Sequence, residues 1–277
     1  MPHRRDSARL HAISDLLDIP YSAIPRTSNG LPTLDTASPG QQRFQAALFT
    51  CLMSRSRGRH VWEHPTKTAM ASVCSYLNCI IPHADRVDLH TNTACRVASR
   101  LMPLLHPGSR VSGIPGLRLI EYGKQRLRFC HLPTGARLDL VDSHGCSTRR
   151  GMGSDLRRET RWHHEDAQQP LGELAEVTPE EETHQQHWAS APCTALRSSL
   201  LVRAIWLYWE LNPVWKPAPP GGGYGQLLYR DASPQAAVDL VTSSEARIPG
   251  ATFQPRSDDE GVLALGDAGI VLRRTGT

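Results

Sequence analysis

The stretch from Leu117 to Asp142 constrains the fold most. It holds three short runs, Leu117–Tyr122, Gln125–Leu132 and Ala136–Asp142, separated by Gly123-Lys124 and by Pro133-Thr134-Gly135. Leu127, Phe129 and His131 fall at every second position, and so do Leu138 and Leu140. Strand side chains alternate between the two faces of a sheet, so this pattern turns one side of each run toward a core. A β-meander is the predicted result, with Gly123-Lys124 as a two-residue hairpin turn. Such a sheet has to be covered on one face, and the flanking sequence offers helices to do it.

Thr66–Ile81 places Met70, Val73, Cys74, Leu77 and Ile81 on one helical face, between Pro65 and Pro82. That spacing predicts a helix. Thr93–Leu105 reads as another, with Pro103 shortening it, and Arg86–His90 as a short strand between the two. A further helix opens at Gln41, and Leu48–Met53 is its end or a buried strand. Residues 1–40 read as an irregular arm with one short helix near Ala8–Leu17, punctuated by Pro20, Pro25, Pro32 and Pro39.

Residues 155–193 are polar and include Glu180-Glu181-Glu182, which reads as a solvated or flexible stretch. Ala195–Leu211 predicts one strong helix carrying Trp206 and Trp209, more suited to a core or an interface than to base stacking. Pro217–Gly225 reads as a linker. Strands are predicted at Gln226–Tyr229, Val238–Thr242 and Gly261–Leu265. The organisation is therefore an arm (1–40), an α/β core (41–154), a polar segment (155–193) and a loop-rich C-terminal portion (194–277). The fold class is α/β, a mixed sheet with a meander flanked by helices.

Composition narrows the class. The 277 residues hold 39% hydrophobic side chains, enough for a packed core. No apolar run reaches the length of about 18 residues needed to span a bilayer, so no membrane partner is expected. The start, Met-Pro-His-Arg-Arg-Asp, leads into no apolar segment, so an intracellular, soluble protein is expected. The seven cysteines form no Cys-x-x-Cys pair and read as free thiols. His144, Cys146, His163 and His164 have no spacing that fixes a zinc site, so no metal ligands are assigned.

Only Lys67, Lys124 and Lys216 are lysine, so arginine supplies 28 of the 31 basic residues. The net charge of +4 is mild, so charge must cluster to matter. It does cluster at Arg55, Arg57 and Arg59, and again at Arg149, Arg150, Arg157 and Arg158.

The order of several short motifs carries a resemblance. Gln41-Gln42 open a helix, an apolar stretch leads to Ser54-Arg55-x-x-Gly58-Arg59-His60, and a strand–helix unit follows near Thr91. The meander then runs to Arg149-Arg150-Gly151 and on to Glu165-Asp166. Over roughly residues 41–167 this order resembles the ATPase core of the large terminase subunit of tailed phages and herpesviruses. The resemblance implies a P-loop-like fold linked to viral DNA packaging, with DNA and other viral proteins as partners and the host nucleus as location. Gln41 or Gln42 would contact adenine, and Ser54, Arg55, Gly58 and Arg59 would hold phosphate. Glu165 and Asp166 would take the catalytic acidic role.

Arg59 stands where that P-loop has lysine, and His60 where it has a Mg²⁺-holding hydroxyl. The resemblance thus implies a degenerate ATPase of weak or absent turnover, with ATP and Mg²⁺ as cofactors only if the segment functions. The alternative is a non-enzymatic, arginine-rich protein that binds nucleic acid or protein. There Arg57, Arg149 and Arg150 would lie on phosphate.

Overall fold

The computed structural model describes residues 4–29, 31–53, 73–143, 152–163, 169–189, 193–216, 224–229 and 234–275. The fold is mixed α/β, built around two five-stranded sheets with helices against them.

The first sheet contains β1 (Leu77–Pro82), β2 (Arg86–Thr91), β5 (Leu117–Tyr122), β6 (Arg126–His131) and β7 (Ala136–Asp142), in the order β1-β2-β7-β6-β5. The meander forms as its alternation dictates: Leu127, Phe129, Leu138 and Leu140 are all fully buried. The first hairpin turn is three residues, 123–125, and closes with Gly123 N–H donating to the Arg126 carbonyl at 2.7 Å. β2 joins β7 in parallel, and every other neighbouring pair is antiparallel. A parallel pair needs a crossover, and α3 (Ala94–Leu101) supplies its helix. Between α3 and β5 lie β3 (Leu104–His106) and β4 (Arg110–Ser112), which with β8 (Gln169–Pro170) make a small third sheet.

Two further helices frame the core. The first, α1 (Arg4–Leu17), sinks Leu10, Ile13 and Leu17 into it, spacings of three and four that put them on one face. The second, α2 (Pro39–Met53), buries Phe44, Leu48, Phe49, Leu52 and Met53 and packs along α6 (Thr194–Val202). The chain then continues through α7 (Ala204–Leu211), β9 (Val214–Lys216), β10 (Gly225–Tyr229), α8 (Pro234–Thr242), β11 (Ala251–Ser257), β12 (Glu260–Leu265) and β13 (Ala268–Arg274). These strands build the second sheet in the order β11-β12-β13-β10-β9, with β10 and β13 parallel.

Several expectations from the sequence are corrected. Thr66–Ile81 is not one helix: residues 66–72 lie outside the described residues, Val73–Tyr76 form a single 3₁₀ turn, and β1 follows. Leu77 to Pro82 is buried along nearly its whole length, and a continuous apolar run does not separate a strand from a helix. The Thr93–Leu105 helix stops at Leu101, and the backbone beyond Pro103 turns into β3. Val238–Thr242 is the end of helix α8, not a strand: Ala237, Val238 and Val241 recur at helical spacing on its buried side.

Ala195–Leu211 divides at Arg203, whose φ of −98° and ψ of 3° leave the helical region. The Arg203 guanidinium bonds the Ser199 carbonyl at 2.5 Å, consuming the acceptor of the previous turn. The polar segment holds two helices, α4 (Met152–His163) and α5 (Pro179–Ala189), and the C-terminal portion is a sheet rather than loops.

Candidate functional site

The sequence patterns Arg86-Val87-Asp88 and Arg137-Leu138-Asp139 sit on β2 and β7 in the same phase. The parallel register sets Arg86 opposite Arg137 and Asp88 opposite Asp139. On the far side of β7, Arg128 of β6 stands opposite Asp139, and Glu121 of β5 stands opposite Arg128. Because side chains alternate, this whole row shares one face of the sheet. Val87, Leu89, Leu138 and Leu140 line the other face and are fully buried. One pattern of alternation thus creates the core on one side and a charged surface on the other.

Pairing on that surface is ordered by depth. The Asp88 and Asp139 side chains are only 10% and 6% exposed, whereas Arg86, Arg126 and Arg128 are 36%, 39% and 44% exposed. Arg86 Nε donates to Asp88 Oδ1 at 2.7 Å, and His83 Nε2 stands 3.3 Å from Asp88 Oδ2. Arg126 Nη1 donates to Asp139 Oδ2 at 2.9 Å, and Arg128 Nη1 donates to Glu121 Oε2 at 2.6 Å. Arg128 Nε also lies 3.7 Å from Asp139. Asp88 and Asp139 form the floor and the guanidinium groups the surface, where the exposed Glu121 lies beside Arg128.

The two carboxyls are driven apart in acidity. Burial acts to raise Asp88, but the His83 hydrogen bond and the Arg86 charge outweigh it and hold it below the usual range. Burial and the nearby Asp88 charge hold Asp139 above its usual range, against the pull of Arg126 and Arg128. Burial likewise lowers His90 on the same face. Split carboxyls of this kind can serve acid–base chemistry. Here both take guanidinium groups as partners, so their evident work is to fix those groups in place.

Arg137 differs from its neighbours. It is exposed and forms no ion pair among the described residues, although it faces Arg86 across the strands. Like charges directly opposite one another are unfavourable. Its backbone is held instead: Gln41 Nε2 donates to the Arg137 carbonyl at 3.2 Å, and the Arg137 N–H donates to Gln41 Oε1 at 3.1 Å. This clamp occupies both polar atoms of the Gln41 amide, which the resemblance had placed on adenine. Gln42, one residue further on, is half-buried.

The other expected site residues fall elsewhere. Ser54, Arg55, Arg57, Gly58, Arg59, Arg149, Arg150, Glu165 and Asp166 lie outside the described residues. What precedes Ser54 is helix α2, whereas a P-loop follows a strand. Arg157, Arg158 and Arg161 are exposed on α4, a second basic strip. Arg158 pairs with the buried Asp155 at 3.4 Å, and on the other side of α4 Glu159 pairs with Arg96 at 3.1 Å.

Among the described residues, no group of three or more His, Cys, Asp or Glu converges as a metal would require, and no helix is long and apolar enough to cross a membrane. No family model matches the chain, no curated protein matches it, and no solved structure does.

Sequence reasoning missed Arg86, Arg126, Arg128 and Arg137. The available signal was the Arg-x-Asp pattern repeated on two strands, joined by Arg126-x-Arg128 within the meander. It pointed to a site only once β2 and β7 were known to be neighbours.

Proposed function

We propose that this protein binds the phosphate backbone of a nucleic acid through the arginine-bearing face of its first sheet, as a binding protein and not as a catalyst. The observation that carries the reading is the layering of that face. Four arginines, at 86, 126, 128 and 137, lie uppermost, and Asp88 and Asp139 are sunk beneath them. A guanidinium group has five N–H donors, and the buried carboxylates engage only some of them. The remaining donors are held in fixed positions facing outward, where loss of side-chain freedom has already occurred on folding. Arginine's planar fork suits phosphate oxygens, and rigid presentation lowers the entropic cost of contact. Arg137, which pairs with no acid among the described residues, is the arginine of this face left open to a ligand.

The reading makes a direct test possible. Binding of labelled DNA and RNA, followed by fluorescence anisotropy, should weaken steeply with salt and depend little on sequence, because phosphate contacts carry no base information. Arg137→Glu should reduce affinity, and Arg137→Ala should lower the salt slope by about 1. Position 137 is exposed, so the fold should survive either change. Truncating Arg126 alone would leave Asp139 buried without its closest partner, so the suitable variant there is Arg126→Gln combined with Asp139→Asn. Retention of full affinity by Arg137→Glu, or no binding by the wild type at low salt, would overturn the reading.

A further inference from the structure

A second feature, remote in sequence from the charged sheet face, is a buried arginine without an acid. Arg197 lies near the start of α6 with only 5% of its surface exposed. Its Nη1 donates to Thr50 Oγ1 of α2 at 2.9 Å, and Thr50 in turn donates to the Ala46 carbonyl at 3.0 Å. The guanidinium carbon stands 5.7 Å from the centre of the Trp215 ring. Its Nε finds no acceptor, and no carboxylate pairs with it among the described residues.

Burial lowers its pKa to about 10, which still leaves it protonated at neutral pH. A buried cation is ordinarily matched by an anion, because the desolvation cost is otherwise uncompensated. One hydroxyl and one ring face supply only part of that compensation.

The surroundings add to the positive potential. A helix N-terminus carries partial positive charge and unsatisfied N–H groups. The first turn of α6 contains no acidic residue, and Cys193, at the N-cap, forms no side-chain cap. Cys193 donates its Sγ–H to the Gly269 carbonyl at 2.7 Å and is itself a neutral thiol, its pKa raised by burial. Along the same α2–α6 seam, the Ser198 hydroxyl donates to Gln45 Oε1 at 2.6 Å, and Gln45 Nε2 lacks an acceptor. Both orphaned atoms in this seam are donors. The helix start lies near solvent, with Thr194 half-buried and Ala195 exposed.

We infer that Arg197 and the N-terminal turn of α6 form a binding site for a small inorganic anion. A compact group that only accepts hydrogen bonds, such as a halide, sulfate or phosphate, matches this chemistry. The site is separate from the polyanion surface, because α6 is not part of the charged face of the first sheet.

The full chain tests this. Its thermal midpoint would be measured at constant ionic strength while chloride, sulfate or phosphate replaces a bulky organic anion. A saturable rise is expected for the wild type, since a ligand that binds only the folded state stabilises it. Arg197→Gln keeps a donor and loses the charge. It should raise the half-saturating concentration at least about tenfold, the scale set by one charge-assisted hydrogen bond. Arg110→Ala, at an exposed position outside both sites, should leave the response unchanged. Should Arg197→Gln fail to fold, wild-type crystals grown in bromide decide the matter: anomalous density beside the Arg197 guanidinium supports the site, and its absence overturns it. No saturable rise in the wild type, or an equal rise in Arg197→Gln, would also overturn it.

Discussion

Arg118 and Glu181 show what a single pair can decide. Glu180-Glu181-Glu182 reads as a solvated acidic stretch, yet Glu181 is wholly buried. It belongs to a capping box: the Thr178 N–H donates to Glu181 Oε2 at 3.0 Å, the Glu181 N–H donates to Thr178 Oγ1 at 3.3 Å, and Pro179 stands at the first helical position. The same carboxylate accepts from Arg118 Nη1 at 2.9 Å, Arg118 Nη2 at 2.7 Å and the Gly116 N–H at 2.7 Å. Removing one partner of a buried pair costs about 3–5 kcal/mol, because the other is left charged and desolvated. Glu181→Gln should therefore lower the urea midpoint sharply without changing the slope of the transition.

Nearby His131 supplies a pH dependence. Its Nε2 meets the Pro115 carbonyl at 3.0 Å and its Nδ1 meets Thr134 Oγ1 at 2.8 Å. Burial lowers its pKa to about 4 from an ordinary 6.5. A group depressed on folding favours the fold when neutral, so its contribution is complete above pH 6.5. That contribution is lost as the pH falls from 6.5 toward 4, amounting to about 3 kcal/mol at the rate of about 1.4 kcal/mol per pH unit. Unfolding by urea at a series of pH values should show this loss, and His131→Gln should flatten it.

At the scale of elements, the meander was legible because its period of two persists through three strands and its turns contain glycine or proline. β1 and α8 were not, because both are short apolar runs whose type is set by neighbours. β1 is a strand because β2 offers it an edge, and α8 is a helix because Pro234 opens it and its apolar residues face the second sheet. The same limit applied to the site: Arg-x-Asp on one strand is an ordinary alternation, and the parallel register makes two of them a surface.

Turns between elements carry their own constraint. Gly113 has φ of +76°, and its position against the carbonyls of Leu101 and Met102 leaves no room for a Cβ. The Ile114 N–H donates to the Leu101 carbonyl at 2.8 Å, so this turn ties the end of α3 to the start of β5. Gly113→Ala combines backbone strain with a backbone clash and should cost more than about 1 kcal/mol. A matched Gly108→Ala, with φ of +75° but open space around it, should cost less, and the difference between the two measures the clash.

Across the whole molecule, the separation expected between residues 41–154 and 194–277 meets a shared interior. One core runs from Leu10 through Phe49 and Leu140 to Leu200, Leu227 and Leu272. Arg203 lies at a junction within it, fully buried. Its Nη1 and Nη2 hold Asp35 at 2.8 and 3.0 Å, its Nε donates to the Ala246 carbonyl at 2.7 Å, and its Nη2 reaches the Arg247 carbonyl at 3.2 Å. One side chain thus joins the N-terminal arm, the α6–α7 junction and the loop after α8. Parts that bury one another cannot unfold independently without exposing their common face, so a single transition is expected. Far-UV circular dichroism should report both sheets and all the helices. Fluorescence should report Trp206, Trp209 and Trp215 of the C-terminal portion together with Trp62, Trp162 and Trp188, and the two urea curves should coincide. Arg203→Met leaves Asp35 without its guanidinium and should shift both curves together, by about 3–5 kcal/mol. Two separated transitions in the wild type, or a shift in fluorescence alone, would overturn this expectation.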